Sequence, residues 1–430
     1  MTSCVQDPGR LRDLASAIYR KELSPTDLVQ QYLERIDVVQ PLAEPWRIVD
    51  AEKALKVAAK RKLQAERGEI LGPLHGIPIG VKDVIDVAGM PTRCNSKALE
   101  DSPSVTADAE VVSSLKAAGA IILGKVHTTE FAFFDPSPAR NPHNTNHTPG
   151  GSSSGSGAAV ASGTVPLALG TQTLASVNRP AAYCGVSAFK PSTRSIGGFG
   201  VAPLAPSFDT VGFLGWSVDD VVYAYEAVTA YRQELEVKSD ELMSSRIIII
   251  DDPLIADCGI DMSKAFQEET KRLQSLGYKL EHVVSPISFS NLSKLHWNTM
   301  IYEASRALAY LDQYPKDLIG SRLHHIRTEG VAITSESYIA DRSKINQLRT
   351  TFFERFKETD VYFWPTTPFP APAGLESTGE PKYIGPWTTL GGPVVSLRAR
   401  QKSKGLPLGF ILAGYPGMDQ RTGSFARLLA

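Results

Sequence analysis

Apolar residues recur at helical spacing from Leu11 to Arg20. They recur again beyond Ser24-Pro25-Thr26-Asp27, where Ser24 can cap a second helix and Pro25 suits its first turn. A third helical stretch, rich in Ala, Lys and Arg, covers Asp50 to Arg67. The period then changes. LHGIPIGVKDVIDVAG combines β-branched residues, glycines and one proline, which predicts a strand entering a buried site with Lys82 inside it. Asp108 to Ala118 predicts a helix and Ala120 to Gly124 a short buried strand, a βα alternation of the α/β kind.

Small residues crowd the middle of the chain, from Asn141 to Ser192. A flexible linker would be polar throughout, whereas these residues are interleaved with Ala, Val and Leu and followed by Phe, Tyr and Cys. Tightly packed backbone is the better reading, because small side chains let main chain approach main chain or a substrate. Further on, Ser245 to Ile250 and Tyr278 to Val284 predict strands around a helix over Met262 to Leu276, a βαβ unit. Ile287 to Phe356 is mostly helical and suited to covering one side of a site. Val361 to Gly374 predicts a strand ending in a proline-rich loop, with short strands at Val394 to Leu397 and Leu408 to Ala413.

Composition narrows the function classes. Of 430 residues, 42% are hydrophobic and 21% charged, the balance of an ordinary globular protein able to bury a large core. The formal net charge of −1, with basic residues only in short groups such as Lys60, Arg61 and Lys62, argues against a nucleic-acid partner. The longest apolar runs, such as Ile247 to Ile250, cannot cross a bilayer, and the N-terminal stretch lacks a signal-peptide pattern. Cys4, Cys94, Cys184 and Cys258 are widely separated and form no CxxC pair, which argues against zinc or a disulfide framework. A soluble protein of the reducing cytosol, with no metal and no membrane partner, is the expectation.

The candidate chemistry rests on serine, which needs a neighbouring base to become a nucleophile. GSSSG around Ser153 has the spacing of a nucleophile elbow, but it follows the polar NPHNTNHTPG rather than a strand. A Ser-His-Asp set from distant loops stays open, with His127, His143 and His147 as loop or scaffold histidines. Lysine can also act as base if burial lowers its pKa from about 10.4 to about 7 or 8. Lys82, flanked by Ile79, Gly80, Val81, Val84 and Ile85, has such surroundings; the competing reading pairs it with Asp83 or Asp86 or lets it snorkel from a strand end.

Three motifs change the balance: GIPIGVKD (Gly76 to Asp83), GGSSSGS (Gly150 to Ser156) and GTQTLASVNRPA (Gly170 to Ala181). With Cys184-Gly185, FKPS, SFDTVG, WPTTP and GLPLGFILAG, in order and over nearly the whole chain, the sequence resembles the amidase signature family. The resemblance implies one amidase domain over residues 1–430, an α/β/α sandwich with a central mixed β-sheet flanked by helices. Its N-terminal helices would occupy about 1–68 and a helical cover about 287–356.

The same resemblance makes Ser176 the nucleophile, Ser152 a relay serine preceded by a cis peptide, and Lys82 the neutral base. It places backbone N–H groups of Thr173, Leu174, Ala175 and Ser176 around the developing oxyanion, and Ser153 and Thr173 in support of the relay. The implied reaction is hydrolysis of a small amide through a seryl acyl-enzyme, without cofactor. A homodimer is compatible with this picture, and the sequence leaves the oligomeric state open.

Two departures stand out. Leu174 and Ala175 occupy positions where the family commonly has glycine, which would matter if the loop required positive φ, and Ser154 replaces another common glycine. Arginine falls three residues after the nucleophile, at Arg179, with Asn178 where general members and the tRNA-dependent amidotransferase component carry it. That placement resembles malonamidase-type enzymes and implies a grip on a substrate carboxylate; a structural ion pair is the other reading. Asp209 is read as a structural turn or cap and Cys184 as a small buried residue. Two other functions stay in view: a non-catalytic scaffold of the same fold, and a transamidating subunit that would need partner subunits.

Overall fold

The computed structural model describes residues 3–229, 242 and 245–430. The chain opens with helices α1 (Leu11–Tyr19) and α2 (Pro25–Ala43), strand β1 (Trp46–Val49) and helix α3 (Ala51–Glu66). Ser24 caps α2 by accepting from Thr26 N, with Pro25 in the first turn, and Asp50 caps α3 by accepting from Lys53 N. There follow β2 (Pro78–Lys82), α4 (Glu110–Ala117), β3 (Ile121–Val126), α5 (Ser154–Ala161), β4 (Leu167–Gln172), α6 (Asn178–Cys184), β5 (Ser187–Lys190) and β6 (Thr210–Gly215).

Beyond them come α7 (Val218–Thr229), β7 (Arg246–Asp251), α8 (Ile260–Ser275), β8 (Lys279–Val284), α9 (Phe289–Ala307), α10 (Ser321–Ala332) and α11 (Ser335–Phe353). The chain finishes with β9 (Val361–Pro365), α12 (Gly385–Leu390), β10 (Val394–Ser403), β11 (Leu406–Ala413) and α13 (Asp419–Leu429). The strands form one mixed sheet in the order β1-β3-β2-β4-β6-β5-β10-β11-β9-β7-β8. Helices pack on it in the α/β/α arrangement.

The predicted βαβ unit is present: β7 and β8 pair in parallel around α8. The final two strands are longer than their apolar runs suggested. Beyond Leu397 the hairpin continues through Arg398 to Lys402 with alternately exposed and half-buried residues, so its polar half carries no apolar signal. Lys404 and Gly405, both at positive φ, close it.

Two features position the site. First, β2 lies parallel between β3 and β4, whereas β4 pairs antiparallel with β6. The carboxyl ends of β2 and β4 therefore emerge side by side where parallel pairing stops, the place at which open α/β sheets bind ligands. Second, every residue of α5 is buried. A Cβ on Gly155 would come within 2.3 Å of His127 N and 2.4 Å of Pro45 O, so the crowding of small residues reflects direct backbone contact and not a linker.

Candidate active site

Lys82 ends β2 and is fully buried, which puts its amine beside the last residues of β4. Nζ lies 2.7 Å from Ser152 Oγ, 2.8 Å from Thr171 Oγ1 and 3.4 Å from the Thr171 carbonyl. Burial pulls its pKa down to about 7, with the charge of Asp209 acting in the opposite sense. Asp83 does not neutralise Lys82; alternation along the strand sends it to Lys125 at 2.8 Å, and both members of that pair are buried. Asp86 accepts from Thr92 Oγ1. The snorkelling and ion-pair alternatives for Lys82 are thus replaced by a buried amine held by hydroxyl and carbonyl oxygens.

Ser152 follows a cis Gly151-Ser152 peptide and precedes the first turn of α5. Arg179 holds the Gly151 carbonyl through Nε (3.1 Å) and Nη2 (2.8 Å), and Ser154 Oγ donates to the Gly150 carbonyl at 2.8 Å. The serine that replaces a common glycine at 154 therefore braces the loop. Ser153 faces β4, exchanging 3.3 Å hydrogen bonds with the backbone of Thr171, and makes no side-chain hydrogen bond to Ser152 among the described residues.

The segment 173–176 joins β4 to α6. The N–H groups of Thr173, Leu174, Ala175 and Ser176 have no hydrogen-bond acceptor among the described residues, although the segment is largely buried. Its shape is set by three neighbours. Gln172 Oε1 accepts from Val177 N (2.8 Å) and Asn178 N (3.0 Å), while its Nε2 donates to Asn178 Oδ1 and Thr388 Oγ1. Thr388 Oγ1 in turn donates to the Leu174 carbonyl at 2.6 Å, which turns that oxygen away from the free N–H groups. Asp209, just before β6, accepts from the Thr173 hydroxyl and from Leu204 N and Ala205 N, a structural role as its turn context suggested. Neither Leu174 nor Ala175 has positive φ, so their β-carbons impose no left-handed strain.

Ser176 lines a narrow cleft with Thr173, Leu174 and Arg179 on one side and Phe133, Phe134, Leu204 and Met300 on the other. Met300 comes from α9, which brings the predicted helical cover to the site. Among the described residues no hydrogen bond joins the Ser176 and Ser152 hydroxyls; the direct link is Ser153 N donating to the Ser176 carbonyl at 3.2 Å.

Arg179 is buried and has no carboxylate at ion-pair distance among the described residues. Besides Gly151 it donates to the Gly379 carbonyl, so two of the five guanidinium N–H donors stay unspent at the cleft. Desolvation lowers its pKa to about 10.

The histidines lie elsewhere. His143 Nε2 bonds the Cys184 carbonyl, His147 Nδ1 the Ala371 carbonyl, and His127 is buried with no partner on Nδ1. Cys184 is fully buried, with its thiol pKa raised by desolvation. Sequence reasoning missed Thr171, Gln172 and Thr388 as working parts of the site. Thr171 and Gln172 fall inside the GTQT motif, where strand alternation could have pointed Thr171 at Lys82; Thr388 carries no local signal.

An amidase family model matches residues 27–422. The chain belongs to the amidase family. It is 31% identical to the first-component (GatA-type) polypeptide of the glutamyl-tRNA(Gln) amidotransferase of Rhodopirellula baltica, over 93% of this chain and 91% of that protein. It is 32% identical to the polypeptide of the same name from Symbiobacterium thermophilum, over 93% and 91% of the two chains. Among solved structures it resembles one described as an amidase (TM-score 0.89, 28% identity, 97% and 98% covered). It also resembles the peptide amidase of Stenotrophomonas maltophilia (TM-score 0.83, 26% identity, 98% and 96% covered). No helix among the described residues is long and apolar enough to cross a membrane.

Proposed function

We propose that the chain is a serine amidohydrolase that cleaves a small carboxylate-bearing amide. The single observation that carries this reading is the juxtaposition of Lys82 and Ser152 beside four unspent backbone donors ending at Ser176. A neutral amine has two N–H donors and one lone pair. Thr171 Oγ1 and the Thr171 carbonyl take the donors, which leaves the lone pair for the Ser152 hydroxyl.

In the proposed cycle the Ser152 hydroxyl passes its proton to Lys82 and takes one from Ser176 as the Ser176 oxygen bonds to the amide carbon. The Ser176 hydroxyl turns toward Ser152 for this step, a tightening expected once substrate is bound. The oxyanion forms against the N–H groups of residues 173–176, where fixed donors are worth most because water is excluded. Carbon–nitrogen cleavage follows as the relay returns a proton to the leaving nitrogen, and water releases the acid by the same route. The two spare Arg179 N–H groups would hold a substrate carboxylate, the preference expected of the malonamidase-type arrangement.

The named relatives favour a second reading, in which the same acyl-enzyme chemistry supplies nitrogen within a tRNA-dependent amidotransferase. With a net charge of −1, RNA contact would then fall to partner subunits.

Ammonia release from small primary amides, with and without a second carboxylate, tests both. Turnover by the isolated chain, abolished by Ser176→Ala and confined by Arg179→Met to neutral amides, supports the free amidohydrolase. Turnover that appears only once the other amidotransferase components are added supports the second reading, and equal losses on neutral and acidic amides in Arg179→Met reject the carboxylate grip.

A further inference from the structure

Behind the site, Arg342 and Arg349 lie two turns apart on α11 and line a cavity of about 510 Å³ together with Arg194, Thr193, Ser207 and Glu354. The cavity shares no residue with the Ser176 cleft. Three guanidinium groups around one cavity repel one another, and none of them has an ion-pair partner among the described residues. Burial and the charges of Arg342 and Arg194 lower the Arg349 pKa to about 10.

The donors of this cavity are poorly spent. Arg342 Nη1 and Thr193 Oγ1 are buried and lack any hydrogen-bond partner. Arg342 rests over the Phe208 ring at 5.7 Å, which fixes its plane without using its donors. Arg349 gives Nε to the Thr389 carbonyl and Nη1 weakly to Asn346, while Nη2 makes no hydrogen bond among the described residues. Gly391 brings these groups together: Arg349 Nη2 and Thr193 Oγ1 both lie within 4 Å of the point where a Cβ would stand on it. Thr193 N donates to the Gly391 carbonyl at 3.0 Å, so the Thr193 hydroxyl is held there by backbone.

Buried unpaired donors of one sign are costly, and an anion with several acceptor oxygens relieves that cost at three arginines at once. A carboxylate has two oxygens; a phosphate has enough for both forks and the Thr193 hydroxyl, and a cavity of this size suits a small molecule. We propose that this cavity binds a phosphate-bearing small molecule.

The test is calorimetric titration of the full chain with inorganic phosphate and pyrophosphate in a low-chloride buffer. Saturable binding is expected, weakened about tenfold or more by Arg342→Gln or Arg349→Gln, a loss of roughly 1.4 kcal/mol or more. Glu354→Gln, an exposed change at the rim, should tighten binding, which a merely structural role for the arginines would not produce. The proposal is overturned by the absence of saturable wild-type binding at tens of millimolar phosphate. It is overturned equally by affinities unmoved in folded Arg342→Gln and in Glu354→Gln; the second variant keeps the test open where the first fails to fold.

Discussion

Lys82 Nζ stands 2.7 Å from Ser152 Oγ with neither side chain in meaningful contact with solvent. Burial is the main reason that the amine titrates at about 7, within the working range of a general base. Only the neutral amine can accept a proton, so the acyl-transfer rate should rise as pH passes upward through about 7 and level off above it. Lys82→Met should abolish that limb and lower kcat by about 10²–10⁴-fold. The check is kcat/KM against pH for both proteins; a wild-type profile flat from acid to alkaline pH would remove Lys82 from the proton path.

Beneath the same strand, Asp83 and Lys125 form a buried pair at 2.8 Å, with Arg93 N also directed at the Asp83 carboxylate. Burial pushes the Asp83 pKa up and Lys125 opposes that shift. Removing one member strands a charge in the core, so Lys125→Met should cost about 3–5 kcal/mol, whereas Asp83→Asn with Lys125→Met should recover most of the loss. Urea unfolding of the single and double variants measures this. A Lys125→Met midpoint equal to wild type would mean that water reaches the pair.

Thr388 connects two parts of the site that are far apart in sequence, accepting from Gln172 Nε2 and donating to the Leu174 carbonyl. Thr388→Val keeps the shape but leaves both groups unpaired, at about 1–3 kcal/mol. Release of the Leu174 carbonyl should misalign the neighbouring N–H donors, so kcat is expected to fall about tenfold or more while KM changes little. Steady-state kinetics beside a thermal melt separates this from simple destabilisation, since a loss of stability alone would leave kcat of the folded fraction intact.

The distribution of what sequence could and could not reveal follows from how each interaction is encoded. Lys82 is legible because a charge amid β-branched residues breaks the local pattern, and Ser152 and Ser176 because their motifs are contiguous. The βαβ unit of β7, α8 and β8 is legible from its periodicity. Thr388 and Met300 are not, because each reaches the site through tertiary packing of helices whose own sequences satisfy unrelated constraints. The outer half of the β10–β11 hairpin escaped for the opposite reason: its residues face solvent, so hydrophobic alternation had nothing to report.

Leu174 offers a sharper test of the loop than its common replacement would suggest. Glycine is useful where φ is positive, and here neither Leu174 nor Ala175 adopts positive φ. Leu174 also packs toward Gly385 at the start of α12, where its Cδ1 lies 2.9 Å from the point a Cβ would occupy, so the glycine at 385 makes room for this leucine. Leu174→Gly should therefore relieve no strain. It should loosen the segment that carries the free N–H groups, costing about 0.5–1 kcal/mol in backbone entropy and more in lost apolar burial. The expected outcome is a lower kcat and a higher KM for small amides, with bulkier acyl groups losing less because the cleft is wider. Kinetics across a series of acyl lengths decides the matter: a general rise in kcat would show that the leucine holds the donors away from the oxyanion, and would return the scaffold reading to consideration.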